Sequence, residues 1–570
     1  MYRTALNNSP TSLRELIKIG IKKKFYSTKP CIVQSPFQKI EIPDATVPDF
    51  IFENCGKFPD KIATECASTG RKYTYDELRT KSLNLSRALK KRLKLRKGDV
   101  VAILLPNIPE FGICLLGILK SSLIATTLSP LNTPEELKRQ LSDSNTRAVI
   151  TTCSLHPLAS ASLPTPDVPI ISIKTERSDA IPAGSANFQE FTNCILDLKL
   201  DEDMGSTDVA LMPYSSGTTG SPKGVLHTHR SLVANLSQIN IHEVKILETA
   251  TADHQDIVPA VPPFIHMYGL VILMLNGFMN MSKLVTVPKF KPNVFVDILE
   301  RYKPTALFAV PTLISFMTNS EVIKRNHLES VRMVASASAP LSAAHQEQFI
   351  RKVGKDVCVV QGFGTSESGL VTSSQKHSEN QGSVGAPLPN TEIRVVAVDA
   401  PNADQQPFQQ GELLFKGPQL MHGYHNRPEE YSKAFTDGWM RTGDLVYYDD
   451  NRNFYIVDRL KDLIKVKGYQ VSPAELEDVI RSHSNVSDAT VIGIPHERYG
   501  EVPRAYITVK SGSQINTDEL KQFVSSKVSN YKDIKGGIVV VDYLPKNIMG
   551  KLLRRKLKLD YMHSIGTRGA

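Results

Sequence analysis

No CxxC pair occurs in this chain. Its seven cysteines stand apart at 31, 55, 66, 114, 153, 194 and 358, an odd number that argues against a disulfide framework and against a zinc cluster. A reducing compartment is the default. A bilayer-length apolar run is also missing: the longest, Met267 to Met281, is interrupted by Asn276 and falls short of a span, so it reads as a buried segment. There is no internal repeat and no low-complexity tract. Nor is there a basic body, although the net charge is +10. Residues 1–30 hold seven Lys or Arg against one Glu, and residues 550–570 hold six against one Asp, so everything between sums to −1. That leaves no basic face for a phosphate backbone, and no nucleic-acid partner is expected.

What is present is the composition of a soluble globular enzyme, 41% hydrophobic and 22% charged. At 570 residues the chain exceeds one ordinary core and calls for at least two domains. From about residue 31, apolar runs such as Val100 to Leu105 alternate with helical stretches such as 109–121. Ala148–Ile150, Ile170–Ile173 and Leu284–Val287 are further β-rich runs. The pattern predicts α/β layers with largely parallel sheets. Between about 391 and 457 alternating strands with Gly and Pro turns predict a small β subdomain. Segments 155–169 and 179–186, rich in Pro, Ser and Ala, read as surface loops.

The first thirty residues read as an address. Ser12 to Glu15 has capping-box spacing; Leu13, Ile17 and Ile21 form an apolar ridge beside a basic ridge of Arg14, Lys18 and Lys22. With acids nearly absent, residues 1–30 resemble a mitochondrial transit peptide, cleaved near Phe25-Tyr26-Ser27. A basic surface helix or a membrane-surface anchor is the other reading. A matrix location is expected, with the cytoplasm as the alternative; no peroxisomal Ser-Lys-Leu closes the chain.

The sharpest local pattern runs from Tyr214 through Ser215, Ser216, Gly217, Thr218, Thr219 and Gly220 to Ser221-Pro222-Lys223-Gly224. Three glycines allow the backbone to turn its N–H groups outward, the hydroxyls add donors and Lys223 adds charge, which suits a polyphosphate. The Walker spacing is absent. Composition alone leaves a flexible loop open. With its flanks, Met212-Pro213 and Val225 to His229, the stretch resembles the signature loop of the adenylate-forming superfamily. Acyl-CoA synthetases, 4-coumarate–CoA ligases, beetle luciferases and peptide-synthetase adenylation domains belong there.

The other family segments follow in order. Gln361-Gly362-Phe363-Gly364-Thr365-Ser366-Glu367 is similar to the segment whose aromatic flanks adenine, whose hydroxyl contacts phosphate and whose Glu helps hold magnesium; Phe363 replaces the commoner Tyr and Ser366 the commoner Thr. Ala335 to Leu341, with Ser338, Ala339 and Pro340, resembles the small-residue border of adenine. Trp439 to Leu445 resembles the element whose Asp, here Asp444, grips the ribose, and Val457 to Asp462 resembles the one with a ribose-contacting Arg, here Arg459, and a hinge near Lys461. Lys465, Lys467, Gly468 and Gln470 match the segment that borders the pantetheine channel and contacts the adenylate, and Lys551 matches the adenylation lysine. The run Arg554-Arg555-Lys556 beyond it reads as a solvated face. His266 lies where the family places a His at the mouth of the acyl pocket.

The resemblance spans about residues 35–560. It implies a large α/β domain at 31–460, AMP-binding, with layered subdomains and a small β subdomain, then a mobile α+β domain at 461–570. It implies an acid–CoA ligase that uses ATP, Mg2+ and coenzyme A, acting as a monomer or homo-oligomer. Ile272 and Leu370 stand where plant coumarate ligases commonly carry a small polar residue and Pro, which favours a medium-chain fatty or aryl-alkanoic or arylpropenoic acid. A luciferase-like oxygenase, a peptide-synthetase-type adenylation enzyme and a non-catalytic nucleotide-binding relative are the rivals.

Overall fold

The structure is a computed structural model that describes residues 31–198, 204–215, 222–354, 357–400, 403–467, 469–547, 550 and 552–566. The expected address at 1–30 lies outside the described residues.

Strand Val100–Leu104 is buried at every position, as expected of a strand covered on both faces. It is central to a nine-stranded sheet, between Ile124–Thr127 and Thr146–Thr152, both parallel to it. Ile170–Ile173 and Ser185–Asn187 extend that parallel run on one side. Helix Glu110–Lys120 covers one face; its Gly112 and Gly117 lie against Phe278 and Leu85. Helix Tyr75–Arg92 supplies Leu85 and starts on a capping box between Thr74 and Glu77. A four-stranded sheet places Ile257–Ala260, Lys283–Thr286 and Ile62–Cys66 in parallel, edged by antiparallel Lys72–Thr74. A five-stranded sheet runs Ala306–Ala309, Met333–Ser336 and Cys358–Thr365 in parallel, then turns antiparallel through Gly369–Ser373 and Ala386–Pro387.

The predicted β subdomain is an antiparallel sheet built from Glu392–Val396, Gly411–Lys416, Phe435–Thr436, Trp439–Tyr448 and Phe454–Arg459. It also recruits Val33–Gln34 from the other end of the domain. Beyond it, Ile464–Val466, Tyr469–Val471, Val486–His496, Gly500–Val509 and Ile538–Val540 form a separate sheet. Helices Pro473–Arg481 and Thr517–Ser525 close over it on a core that includes Ile464, Leu476, Ile480, Val491 and Leu520. These are the α/β layers, the small β subdomain and the α+β unit expected.

Two loop assignments are corrected. His156–Ala161 is helical with Ala159 buried, because Pro157 stands at the first turn, where a missing N–H costs nothing. Ser185–Asn187 is a strand, held by pairing with Ile170–Ile173 that composition does not reveal. The apolar run from Met267 is buried, as expected, and Tyr268–Leu275 is wound as a π-helix. The Asn276 N–H reaches Val271 O, five residues back, and the Asn276 side chain donates to Ile272 O at 3.2 Å. Gly269 is required there: a Cβ would come within 2.1 Å of Pro263 O. Among the described residues no helix is long and apolar enough to cross a membrane.

Candidate active site

A cleft of about 1900 Å³ opens where the five-stranded sheet, the antiparallel sheet and the C-terminal unit meet. Ser338, Ala339, Pro340, Gly362, Phe363, Gly364, Asp444 and Arg459 all line it. Ser338 to Pro340 follow strand Met333–Ser336, Gly362 to Gly364 lie in the second half of Cys358–Thr365, Asp444 is inside Trp439–Tyr448 and Arg459 ends Phe454–Arg459. Met333–Ser336 and Cys358–Thr365 are parallel neighbours, so the residues that follow each emerge at the same edge, where open α/β sheets bind ligands. Small side chains at 338–340 leave the backbone bare, and Ser338 sits in the left-handed region at φ 75°. Gly364 is compelled, since a Cβ would lie 2.1 Å from Gly369 O.

Gln361 serves this edge from behind. Buried, it donates through Nε2 to Leu341 O at 3.0 Å and accepts from Leu341 N at 3.1 Å through Oε1. Its amide thus staples the 338–341 turn to the next strand and does not reach into the cleft.

Across the cleft Asp444 and Arg459 are direct partners on adjacent antiparallel strands, with Nε to Oδ1 at 2.6 Å. Asp444 is almost wholly buried. Tyr447 and Tyr455 stack beside them, ring centroids 4.8 Å apart. The C-terminal unit closes the cleft with Lys546, Gly550 and Leu552. Gly550, at φ 71°, lies so near helix Pro311–Asn319 that a Cβ would come within 2.5 Å of Thr312 Oγ1. Lys551 itself lies outside the described residues, as do Ser216, Gly217, Thr218, Thr219, Gly220 and Gly468.

The residues flanking the glycine-rich loop pair as antiparallel strands. Tyr214 pairs with Gly224 and buried Ser215 with Lys223, and the outgoing strand Lys223–Thr228 also pairs with Gly423–Tyr424. That register gathers charges the sequence does not place together. The Tyr424 hydroxyl donates to Glu367 Oε1 at 2.9 Å, and the Lys223 ammonium sits 5.3 Å from the Tyr424 ring and in contact with Glu430. Burial lowers the Lys223 pKa and the nearby Glu367 opposes that fall. His227 ties the strand to the next segment through Nε2 to Ser366 O at 2.8 Å; burial brings its pKa down to about 4, so it stays neutral at pH 7. Among the described residues no group of three or more His, Cys, Asp or Glu is arranged to hold a metal.

A second, closed cavity of about 20 Å³ adjoins the first at Gly362. Ile239, Val244, Ile246, Tyr268, Ile272 and Leu370 make its walls. Tyr268 turns its hydroxyl to Ala335 O at 2.8 Å, which leaves the ring face apolar. His266 precedes this wall. Burial lowers its pKa to about 4, and its Nε2 meets no partner among the described residues.

Lys465 and Gln470 stand opposite one another on the hairpin Ile464–Val466 and Tyr469–Val471, both exposed and away from the cleft. Lys467 is beside them at φ 49°, its ammonium 4.7 Å from the Tyr499 ring. The structure therefore shows two separate faces of the C-terminal unit, with Lys546, Gly550 and Leu552 turned to the cleft and Lys465, Lys467 and Gln470 exposed to solvent.

Of the run at 554–556, Arg555 and Lys556 are exposed as expected and Arg554 is corrected. Arg554 is no solvated residue: it forms a two-pronged pair with buried Glu477, Nε to Oε1 at 3.0 Å and Nη2 to Oε2 at 2.7 Å, with Asp462 and Asp458 at 3.5 and 3.9 Å. Sequence reasoning also missed Tyr424, Glu430 and Asp458. No local pattern marks them.

The arrangement defines a nucleotide-binding enzyme with a closing second domain and an apolar side pocket. Comparison with known proteins gives it a family. Residues 51–425 match the family model described as AMP-binding enzyme, and 475–551 match that of the AMP-binding enzyme C-terminal domain. The 4-coumarate–CoA ligase 4 of Arabidopsis thaliana is 34% identical over 548 residues, covering 92% of this chain and 94% of the relative. The long-chain-fatty-acid–CoA ligase of Bacillus subtilis (strain 168) is 31% identical over 560 residues, covering 93% and 98%. Among solved structures, MatB from Rhodopseudomonas palustris is 25% identical, with 91% of this chain and 99% of that one covered; the TM-score is 0.81 for the ATP-bound crystal and 0.72 for the apo crystal. The chain belongs to the AMP-binding enzyme family. It is an AMP-forming acid–CoA ligase, working through an acyl-adenylate.

Replacing Gln361 with Ala frees the 338–341 turn from its strand, and the apparent KM for ATP is expected to rise about tenfold while the buried Leu341 groups left unpaired cost about 1–3 kcal/mol of stability. Steady-state kinetics beside a denaturant melt measures both.

Proposed function

We propose that the acid is apolar, a medium-chain fatty or an aryl-alkanoic or arylpropenoic acid, and that it enters the cavity walled by Ile272 and Leu370. The observation that carries this reading is the junction at Gly362, where a mainly apolar pocket, with Asn276, Ser336, Gln361 and Ser373 among its walls, meets the nucleotide cleft. An acid lying along it presents its carboxylate beside the 338–341 turn. The free volume of about 20 Å³ admits little more than a water, so a bound acid displaces Leu370 or Ile272. Relatives named for an aromatic propenoic acid and for long-chain fatty acids bracket the class.

The residues divide the work in this reading. Arg459 and Asp444 hold the ribose, Phe363 flanks adenine, and the loop at 215–220 with Lys223 holds the polyphosphate. Glu367 suits Mg2+, which takes one or two carboxylates together with phosphate oxygens and water and needs no all-protein cage. The ion supplies charge neutralisation on the phosphates. Lys551, next in sequence to Gly550, stabilises the charge that grows as the carboxylate attacks the α-phosphate. One positive charge at ~4 Å and an effective dielectric near ~20 contributes about 4 kcal/mol, roughly three powers of ten in rate. Domain 461–570 then turns at a hinge near Lys461, and Lys465, Gln470, Lys467 and Gly468 replace Lys551 at the adenylate for transfer to coenzyme A, with His266 at the pocket mouth. Residues 1–30 carry the chain into the mitochondrial matrix in the same reading.

A panel of acids in an assay of CoA-dependent AMP formation tests the substrate; apolar acids of about six to twelve carbons should lead. A preference for short dicarboxylates would reject the pocket assignment. Lys551→Ala should lower adenylation about a thousandfold and leave transfer from supplied acyl-adenylate to CoA near normal, measured as two separate half-reactions; equal loss of both rejects that role. A fluorescent reporter fused to residues 1–35 should enter mitochondria, and a diffuse cytosolic distribution refutes the address.

A further inference from the structure

Asp458 is the last residue but one of strand Phe454–Arg459 and is held in the large domain by pairing with Leu445. Its side chain nonetheless belongs to the other unit. Oδ2 accepts from the Ser472 hydroxyl at 2.6 Å and from the Ala474 N–H at 2.9 Å, so the carboxylate sits on the N-terminus of helix Pro473–Arg481. Oδ1 faces Arg554 at 3.9 Å. Asp458 is 6% exposed, so these contacts are made in a largely dry setting. Ser472, Ala474 and Arg554 all lie beyond Lys461, and Asp458 lies before it. Every one of these contacts crosses the chain segment assigned as the hinge.

Arg554 links the cluster to the cleft. Its pair with Glu477 is internal to the C-terminal unit, and it stands two residues after Leu552, which bridges back to Lys546 and borders the cleft. Two described residues near this end of the chain are therefore held, Gly550 against Thr312 and Arg554 over Asp458. Next to Asp458, Arg459 points the opposite way and pairs with Asp444 in the cleft.

We propose that Asp458 is a positioning residue, a latch whose carboxylate holds the C-terminal domain in the adenylating arrangement through Ser472, Ala474 and Arg554. Rotation at the hinge withdraws the helix N-terminus and the guanidinium together and leaves Asp458 to water. The latch thus biases one of two states, and its loss shifts the population away from adenylation. This rests on the reading of two half-reactions served by one turning domain.

The test measures both half-reactions separately on the full chain. Adenylation is followed by acid-dependent ATP–pyrophosphate exchange, and transfer by thioester formation from a synthetic acyl-adenylate and CoA. Asp458→Ala should slow adenylation about tenfold while transfer is unchanged or faster. Ser472→Ala should move both in the same directions by about threefold. Should Asp458→Ala fail to fold, Ser472→Ala and Arg554→Lys carry the test with the same expected split. Equal losses in both half-reactions, or a loss confined to transfer, overturn the latch. If the unaltered chain forms no acyl-adenylate, the two-step reading itself fails, and that result is distinct from a symmetric loss in the variants.

Discussion

A single irregularity in one strand pair orders the site. Trp439–Tyr448 and Phe454–Arg459 run antiparallel, with Leu445 opposite Asp458 and then Val446 opposite Ile456, so Val457 is an extra residue on its strand. Such a bulge re-aims the side chains that follow it. Here it pairs Arg459 with Asp444 and turns the Asp458 carboxylate to helix Pro473–Arg481, both residues bordering the cleft. Without the extra residue the alternation would exchange the two side chains and set the guanidinium against a helix N-terminus already rich in N–H dipoles. Both the Asp444–Arg459 pair and the seating of the second domain depend on that one residue of register.

How much of this could be read from the chain divides along sequence distance. The α/β layers and the antiparallel subdomain near 391–457 follow from period and turn chemistry, and the motif residues Ser338, Phe363 and Asp444 are found lining one cleft. Arg554 was misread because a run of three basic residues on an end helix carries no trace of Glu477, 77 residues earlier, which is what buries it. Tyr424 and Glu430 were invisible for the same reason: the hairpin register brings them to Lys223 and Glu367 from about 200 and 60 residues away. Gln361 shows the converse. A motif named it as a ligand contact, and its amide is committed to Leu341.

The apolar pocket and the nucleotide cleft are two sides of the same pair of strands. Ala335, Ser336 and Ala337 wall the pocket while Ser338 to Pro340 line the cleft, and Gly362 belongs to both. The π-helix at Tyr268–Leu275 completes the pocket with Tyr268 and Ile272 and is fastened to the strand through Tyr268 and Ala335 O. Side-chain bulk in the pocket is consequently felt at the turn that borders the nucleotide. Recognition of the acid and positioning of its carboxylate are one structural event in such an arrangement.

Two chemistries with opposite demands share this cleft. Adenylation gains from a cation held against the phosphates in a closed site, whereas thioester formation needs a channel for a long thiol and gains nothing from that cation once pyrophosphate has left. One fixed surface cannot serve both. The C-terminal unit presents two different faces, Gly550 against Thr312 and Lys465 with Gln470 in solvent. A contact that stabilises one face must then be weak enough to break each turnover. A latch made of a few hydrogen bonds to one carboxylate meets that limit, since it contributes a tilt of the equilibrium and not a permanent closure. Hydrophobic burial across the same joint, at about 25 cal/mol per Å², would grow with contact area and slow the turn; the polar character of the Asp458 contacts is what a reversible joint requires.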